Sequence, residues 1–454
     1  MNPLARGACP GIAQPMPTGD GLLARLMPPS PMSIETFVAL CDASQTHGNG
    51  IMEVTQRGSL QIRGLSIASA PLFARTAAAL GLGAEGRPAL LASPLFGLDA
   101  QEPLDAAAFG AAMRAELTAA EPIGPKVSVI IDGGGPWHLD QVPADVRLRR
   151  ASAAGFHLSM AGTAADSRSL GWVQSDQSAQ AVAQLLLAIA HRGEAARARD
   201  FANDADIHAL RARLAGVLTD GPPPPARARA EPIGAHRLND GRVAQGIAPA
   251  FGHMDAPSLE RVVHAAAGCG AASIRAAPGR TLLFIGLSPA SAQKFTAAAG
   301  AEGWVVRPDD VRRHVIACAG APACASAAWA TRSLAPAIAR AAKPLLDGSV
   351  TIHLSGCAKG CACPGAATLT FAGPGRLIVQ GRAGDAPQGR ISSARLIAGL
   401  GQLQAHVAQL RAEVGQLRAD TLRSPSAGET SAQVIARLGA RRVIESLGGE
   451  LTHG

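Results

Sequence analysis

An internal repeat constrains the fold of this chain more than any other feature of it. From Asp20 the text runs DGLLARLMPPSPMSIETFVALCDASQTHGNGIMEVTQRGSLQIRGL, and from Asp240 it runs DGRVAQGIAPAFGHMDAPSLERVVHAAAGCGAASIRAAPGRTLLFIGL. Both stretches read as strand, helix, strand, turn, strand. In the first, Ser33 is the expected cap of a helix that stops near Gly48 and turns Phe37, Leu40 and Cys41 to one side; the cap's side-chain oxygen satisfies an amide that has no partner within the helix. In the second, Ser258 is the expected cap of a helix carrying Leu259, Val262, Val263 and Ala266 and ending by Gly268. Each copy closes on an apolar strand ending Gly-Leu, Leu60 to Leu65 and Leu282 to Leu287.

The parallel continues downstream. Pro122 leads to VSVIIDGGG, and Pro344 leads to VTIHLSGCAKG, so the chain is a duplicated unit and not a set of unrelated domains. With 51 glycines and 32 prolines in 454 residues, many turns must separate short elements, which favours an α+β class. Between the halves lies GPPPPARARAEP at 221–232, stiff, charged and unsuited to a core; it reads as a linker. After Gly399, Leu400, Leu403, Val407, Leu410, Val414 and Leu417 alternate at three and four residues. So short a seam reads as an amphipathic helix lying on its own domain in preference to a dimerising coil.

The formal charge is +8, and arginine dominates it, since lysine occurs only at Lys126, Lys294, Lys343 and Lys359. A polyanionic small molecule suits that balance. Aromatics are 3% with no Tyr, too few for the stacking platforms of a single-strand nucleic-acid binder. Met1 to Thr18 contains Pro3, Pro10, Pro15 and Pro17 and lacks the apolar core of a signal peptide, and no run of 18 apolar residues occurs. A cytoplasmic protein with no nucleic-acid or membrane partner is therefore expected.

Cysteine in such a chain reads as metal ligand or reactive thiol before disulfide. Cys318, Cys324, Cys357 and Cys361 form C-x5-C and then C-x3-C in the second half alone, where the first half has Gly133, Gly134 and Gly135. Four thiolates from two loops can take zinc or an iron–sulfur cluster. Structural zinc prefers tight knuckles, so the wider pair favours a cluster.

Ser355-Gly356-Cys357-x3-Cys361 after an apolar strand resembles the signature of the sirohaem nitrite and sulfite reductase superfamily. The wording from Ser355 to Ala362 is closer still to the precorrin-3B synthase family within it. So are Cys9-Pro10, Pro15-Met16, Gly19-Asp20-Gly21, His47-Gly48-Asn49-Gly50, Glu53-Val54-Thr55 and the run Arg57 to Arg63. The likeness spans residues 6 to 395 and resumes at 430 to 448.

The resemblance implies an internally duplicated nitrite/sulfite reductase-like fold. Its expected parts are ferredoxin-like half-domains at 1–70 and 233–290, α/β domains at 71–220 and 291–395, and a C-terminal helical extension at 396–454. It further implies a [4Fe–4S] cluster on Cys318, Cys324, Cys357 and Cys361, carried by the second α/β domain. Thr55, Arg57 and Gln61 match the T-x-R-x-x-x-Q strand that lines the tetrapyrrole in that family. Arg63, Arg87, Lys126 and Lys359 are expected to orient substrate carboxylates, a task that suits arginine's planar fork. Two departures stand out: Cys363 replaces a histidine of the synthase pattern, and Ser128 replaces a second family lysine, which argues against a small oxyanion as substrate.

The implied reaction is an oxidoreductase's, a monooxygenation in cobalamin biosynthesis. Dioxygen and reducing equivalents hydroxylate precorrin-3A at C20 with closure of a lactone. NADH is the expected reductant through an electron-donor protein, and a mononuclear non-haem iron is a further implied cofactor. His47, His314 and His353 are candidates for it, though each suits an ordinary packed or surface histidine as well. The alternatives are a sirohaem-dependent nitrite or sulfite reductase and a non-catalytic tetrapyrrole- or zinc-binding module.

Overall fold

A computed structural model describes residues 10–28, 30–82, 89–102, 109, 111–113, 115–116, 123–124, 126–150, 155–363, 365–373, 375–421 and 429–452. The two repeats form two five-stranded sheets, and each sheet borrows a strand from the other repeat. In the first, Met16–Thr18, Gly21–Leu26, Leu60–Leu65 and Ile51–Val54 are joined by Met254–Asp255, with Met254 opposite Met52. In the second, Gly234–Arg237, Val243–Ile247, Thr281–Leu287 and Ser273–Ala277 are joined by Met32–Ser33, with Ile274 opposite Met32. The exchange is reciprocal, so the two half-domains are one interlocked layer.

The helices of the repeats follow from their caps and apolar faces. Ile34–His47 starts at Ser33, whose hydroxyl accepts the Thr36 amide at 3.2 Å, and ends at Gly48, as the sequence implies. Its counterpart Ala256–Gly268 is capped one turn earlier than the sequence suggests. Asp255 accepts the Ser258 amide at 2.8 Å, and Pro257 sits in the first turn, where its missing N–H costs nothing. Ser258 is therefore inside the helix, not its cap. Phe37 and Leu40 from one helix and Leu259, Val262 and Val263 from the other enter a single core shared by both repeats. Full burial of a side chain such as Phe37 contributes roughly 1.5–3 kcal/mol.

Two six-stranded sheets flank this layer and share one pattern of pairing. Ala89–Ala92, Ser128–Asp132 and Ala144–Arg150 run parallel, and Gly155–Gly162, Arg168–Gln174 and Leu218–Thr219 continue antiparallel. Val315–Ala317, Ile352–Ser355 and Ala367–Ala372 repeat the parallel part, followed by Arg376–Gly381, Gly389–Arg390 and Glu450–Leu451. The identical order makes Ser128–Asp132 the counterpart of Ile352–Ser355. The glycine triplet and the cysteine loop then occupy equivalent positions.

The segment between the halves, expected as a linker, is anchored to the first half. Arg227 bonds both Asp132 and Asp140, the latter through Nε at 3.0 Å, and His138 Nε2 lies 2.7 Å from the Ala228 carbonyl. Trp137 Nε1 donates to the Glu231 carbonyl at 3.0 Å. The heptad stretch belongs to helix Ser393–Thr421; Leu400, Leu403 and Val407 are buried in the core of the second α/β unit, as an amphipathic helix on its own domain requires. Among the described residues no helix is long and apolar enough to cross a membrane.

Candidate metal centre

The cysteine loops start where two neighbouring parallel strands end. Cys318 follows strand Val315–Ala317 and Cys357 follows strand Ile352–Ser355, which pair with Ala317 opposite Leu354. The carboxyl ends of parallel strands are where open α/β sheets leave a crevice for ligands. The Gly356 amide donates to Cys318 Sγ at 3.1 Å. Thr331 Oγ1 lies 3.7 Å from that sulfur while donating to the Cys318 carbonyl at 2.8 Å. Cys324 is roofed from the opposite repeat. The Gly19 carbonyl accepts the Ala325 amide at 2.9 Å, and a Cβ on Gly19 would fall 2.3 Å from Cys324 Sγ. Only glycine lets that turn come so close.

Charge surrounds these thiols. Arg63, 3% exposed, grips Asp20 through Nε at 2.8 Å and Nη2 at 2.7 Å, and reaches Glu53 through Nη1 at 3.3 Å. Burial alone would raise the Asp20 carboxyl, but the hydrogen bonds and charge of Arg63 win and hold it below the ordinary carboxylate value. Glu53 is buried too. It also accepts from the Gln61 amide at 3.1 Å, while the Gln61 oxygen accepts from Arg25 at 2.9 Å. Arg63, Arg280 and Arg332 all feel the Glu53 charge.

Cys361 is exposed on one side, yet its thiol is pushed up, first by the protein around the sulfur and then by Cys357, Cys318 and Glu53, with Arg63 opposing. Cys318, Cys357 and Cys361 thus share one electrostatic neighbourhood beside Arg63. Cys363 looks elsewhere: it faces Arg280, and its Sγ lies 3.8 Å from the Gly365 carbonyl. Arg280 itself donates to the Ala362 carbonyl and so ties the second repeat's turn to the cysteine loop. His353, fully buried on the strand before Cys357, has no partner for either ring nitrogen, and burial lowers its pKa to about 4.

The expected pocket residues divide. Thr55 bonds Ser59 Oγ at 2.8 Å within a turn, and Arg57 is exposed in that turn, bridged to Pro278 of the other repeat. Gln61 and Arg63 point to Glu53 beside the cysteines, and Arg63 spends its donors on Asp20 and Glu53, the protein's own carboxylates. Lys359 reaches Ser326 Oγ at 2.9 Å across the two cysteine loops. Lys126 is exposed ahead of strand Ser128–Asp132, on the first α/β sheet. Arg87 lies outside the described residues.

Sequence reasoning passed over Asp20 and Glu53 as charge partners, and Arg280 and Arg332 altogether. Glu53 left one trace, a carboxylate in the otherwise apolar strand Ile51–Val54. The two arginines left none, because only folding carries them to the cysteines.

Residues 14–80 match the model of the nitrite/sulfite reductase ferredoxin-like half domain. A precorrin-3B synthase from Sinorhizobium sp. is 34% identical over 450 residues, 97% of this chain and 94% of that protein. The chain belongs to the precorrin-3B synthase family. This family sits within the nitrite/sulfite reductase superfamily, and a ferredoxin sulfite reductase of Mycobacterium tuberculosis is 30% identical to the chain over 175 residues, 37% of the chain and 31% of that protein. The solved structure of the Mycobacterium tuberculosis NirA protein superposes with a TM-score of 0.66 over 93% of this chain and 84% of that one, at 20% identity, so the synthase family member has the same duplicated α+β fold.

The donor set fits a cluster. Four soft thiols stand on two loops, and the Gly356 amide is directed at Cys318. Among the described residues no group of three His, Cys, Asp or Glu side chains could hold a single metal ion.

Proposed function

We propose that the chain is a precorrin-3B synthase: an oxygen-dependent oxidoreductase that hydroxylates precorrin-3A at C20, with lactone formation, in cobalamin biosynthesis. The near full-length likeness to the Sinorhizobium synthase carries this reading. Placement of the cysteine loops beside a buried arginine cluster supports it. In this reading Cys318, Cys324, Cys357 and Cys361 hold a [4Fe–4S] cluster, which when bound supplies single electrons for the reductive activation of oxygen.

The protein's own residues then divide the remaining work. Thiolates must be deprotonated to bind iron, and Arg63 next to Cys361 lowers the cost of doing so. Arg63 acts as a wall residue, fixed by Asp20 and Glu53, and leaves direct grip on substrate carboxylates to more exposed cations, Arg57 and Lys359. Gly19 and Asp20 close the site over Cys324 from the other repeat. The physiological reductant is read as NADH acting through a donor protein.

Anaerobic purification with iron, sulfide and absorption measurements, followed by incubation with precorrin-3A, oxygen and an added electron donor, tests the proposal. Cluster absorption and a hydroxylated lactone product are expected. Full sirohaem bands, or iron-loaded protein that leaves precorrin-3A untouched, would overturn it.

A further inference from the structure

Near Cys318 stands a cation that forms no ion pair or hydrogen bond among the described residues. Arg332 is the second residue of helix Thr331–Ala341, whose first residue, Thr331, bonds the Cys318 carbonyl and lies against its sulfur. Its Nε and Nη2 are buried and have no hydrogen-bond partner. Leaving guanidinium donors unpaired out of water costs several kcal/mol unless an acceptor is supplied.

The nearby acids are already engaged. Arg63 takes both oxygens of Asp20, and Glu53 Oε2 receives Arg63 and Gln61. Arg332 feels Glu53 most among these charges, then Arg63, Cys318 and Asp20, and its buried Nε and Nη2 bond none of them. Arg280 differs, because it spends Nη2 on the Ala362 carbonyl and faces Cys363. Cys318 meanwhile collects positive character from two directions: the Gly356 amide and the amino end of the helix that carries Arg332.

We propose that Arg332 is a positioning residue that raises the reduction potential of the metal centre, by holding a full, buried positive charge near its Cys318 side. The inference rests on the reading that the four cysteines hold a [4Fe–4S] cluster. Reduction adds one electron to a centre whose potential depends on net charge and on hydrogen bonds to sulfur. A fixed cation favours the more negative, reduced form.

The test is a dithionite titration with redox mediators, followed by electron paramagnetic resonance, on the full-length parent, R332Q and R332K, with iron and sulfide measured on each. R332Q is expected to keep its cluster and to be about tenfold harder to reduce, 59 mV more negative for one electron. R332K keeps the charge and is expected to stay within about threefold of the parent. Equal midpoints for cluster-bearing parent and R332Q overturn this proposal alone, and so does an R332K midpoint that falls as far as R332Q. Should R332Q fail to fold, R332K decides: within threefold supports the proposal, a tenfold fall overturns it. Parent protein without iron or sulfide removes the cluster reading, and this inference with it.

Discussion

Arg63 and Asp20 form a two-pronged ion pair, 2.7 and 2.8 Å, with both side chains almost wholly buried, and it lies where the turn of the first repeat meets the cysteine loops of the second half. The neighbouring Gly19 closes over Cys324, so the pair fixes the turn that forms one wall of the proposed metal centre.

Replacing one partner leaves the other as an uncompensated buried charge. Asp20→Asn is expected to cost about 3–5 kcal/mol at neutral pH in urea unfolding. The Asp20 carboxyl is held below its ordinary 3.8, so its contribution is complete above that value and fades as pH falls through the lower, folded value. The difference between parent and variant should shrink accordingly in strong acid. An equal difference at pH 7 and in strong acid would show that the loss is not electrostatic.

Cys361 and Cys363 are two residues apart and are expected to behave differently. Cys361 shares its surroundings with Cys318 and Cys357, whereas Cys363 faces Arg280 and Gly365. Cys361→Ser is expected to lose iron and sulfide, and Cys357→Ser likewise; Cys363→Ser is expected to keep both. Iron and sulfide analysis of the three purified variants decides it, and loss of iron from Cys363→Ser alone would reassign the fourth ligand.

Much of this arrangement could be read from the text of the chain, and the part that could not has a physical cause. The duplicated order of elements, the Ser33 cap and the loop from Ser355 to Cys361 are local patterns, set by spacing and turn chemistry. Reciprocal exchange of Met32–Ser33 and Met254–Asp255 is not local; two residues carry no strand signal until a partner edge receives them. The cap at Asp255 was masked by a serine equally able to cap. Arg280 and Arg332 sit in unremarkable stretches, and their bearing on the cysteines depends on which loops meet in space.

Arg227 lies in the stiff 221–232 segment, and it bridges Asp132 and Asp140 over the first half, whose glycine loop is the counterpart of the cysteine loop. Arg149 helps hold the same segment through the carbonyls of Pro224 and Pro225. Arg227→Ala leaves two buried carboxylates without their shared cation and is expected to destabilise the fold by about 3–5 kcal/mol. Iron content should be unchanged, since the proposed ligands lie in the other half. Protease sensitivity within 221–232, measured beside urea unfolding, checks the anchoring directly.

Glu102 shows what fills the first half where the second has its cysteines. Its side chain is buried against the glycine triplet, and a Cβ on Gly133 would fall 1.9 Å from Glu102 Oε1. Among the described residues neither carboxylate oxygen has a well-formed hydrogen bond, and the backbone of Gly97 and Gly133 is near enough only to act on it weakly. Burial, then the charges of Asp132 and Asp99, raise its pKa to about 7, and the backbone of Gly97 and Gly133 offsets only part of that. The unfolded chain ionises Glu102 near 4.5, so the folded state is favoured fully below that value and loses the advantage as pH rises toward 7. Glu102→Gln is neutral throughout and is expected to be more stable than the parent at pH 8 by up to roughly 3 kcal/mol, with little difference at pH 4. Paired urea titrations at the two pH values measure this; a gap that does not change with pH would mean that Glu102 is not a protonated carboxyl in the fold.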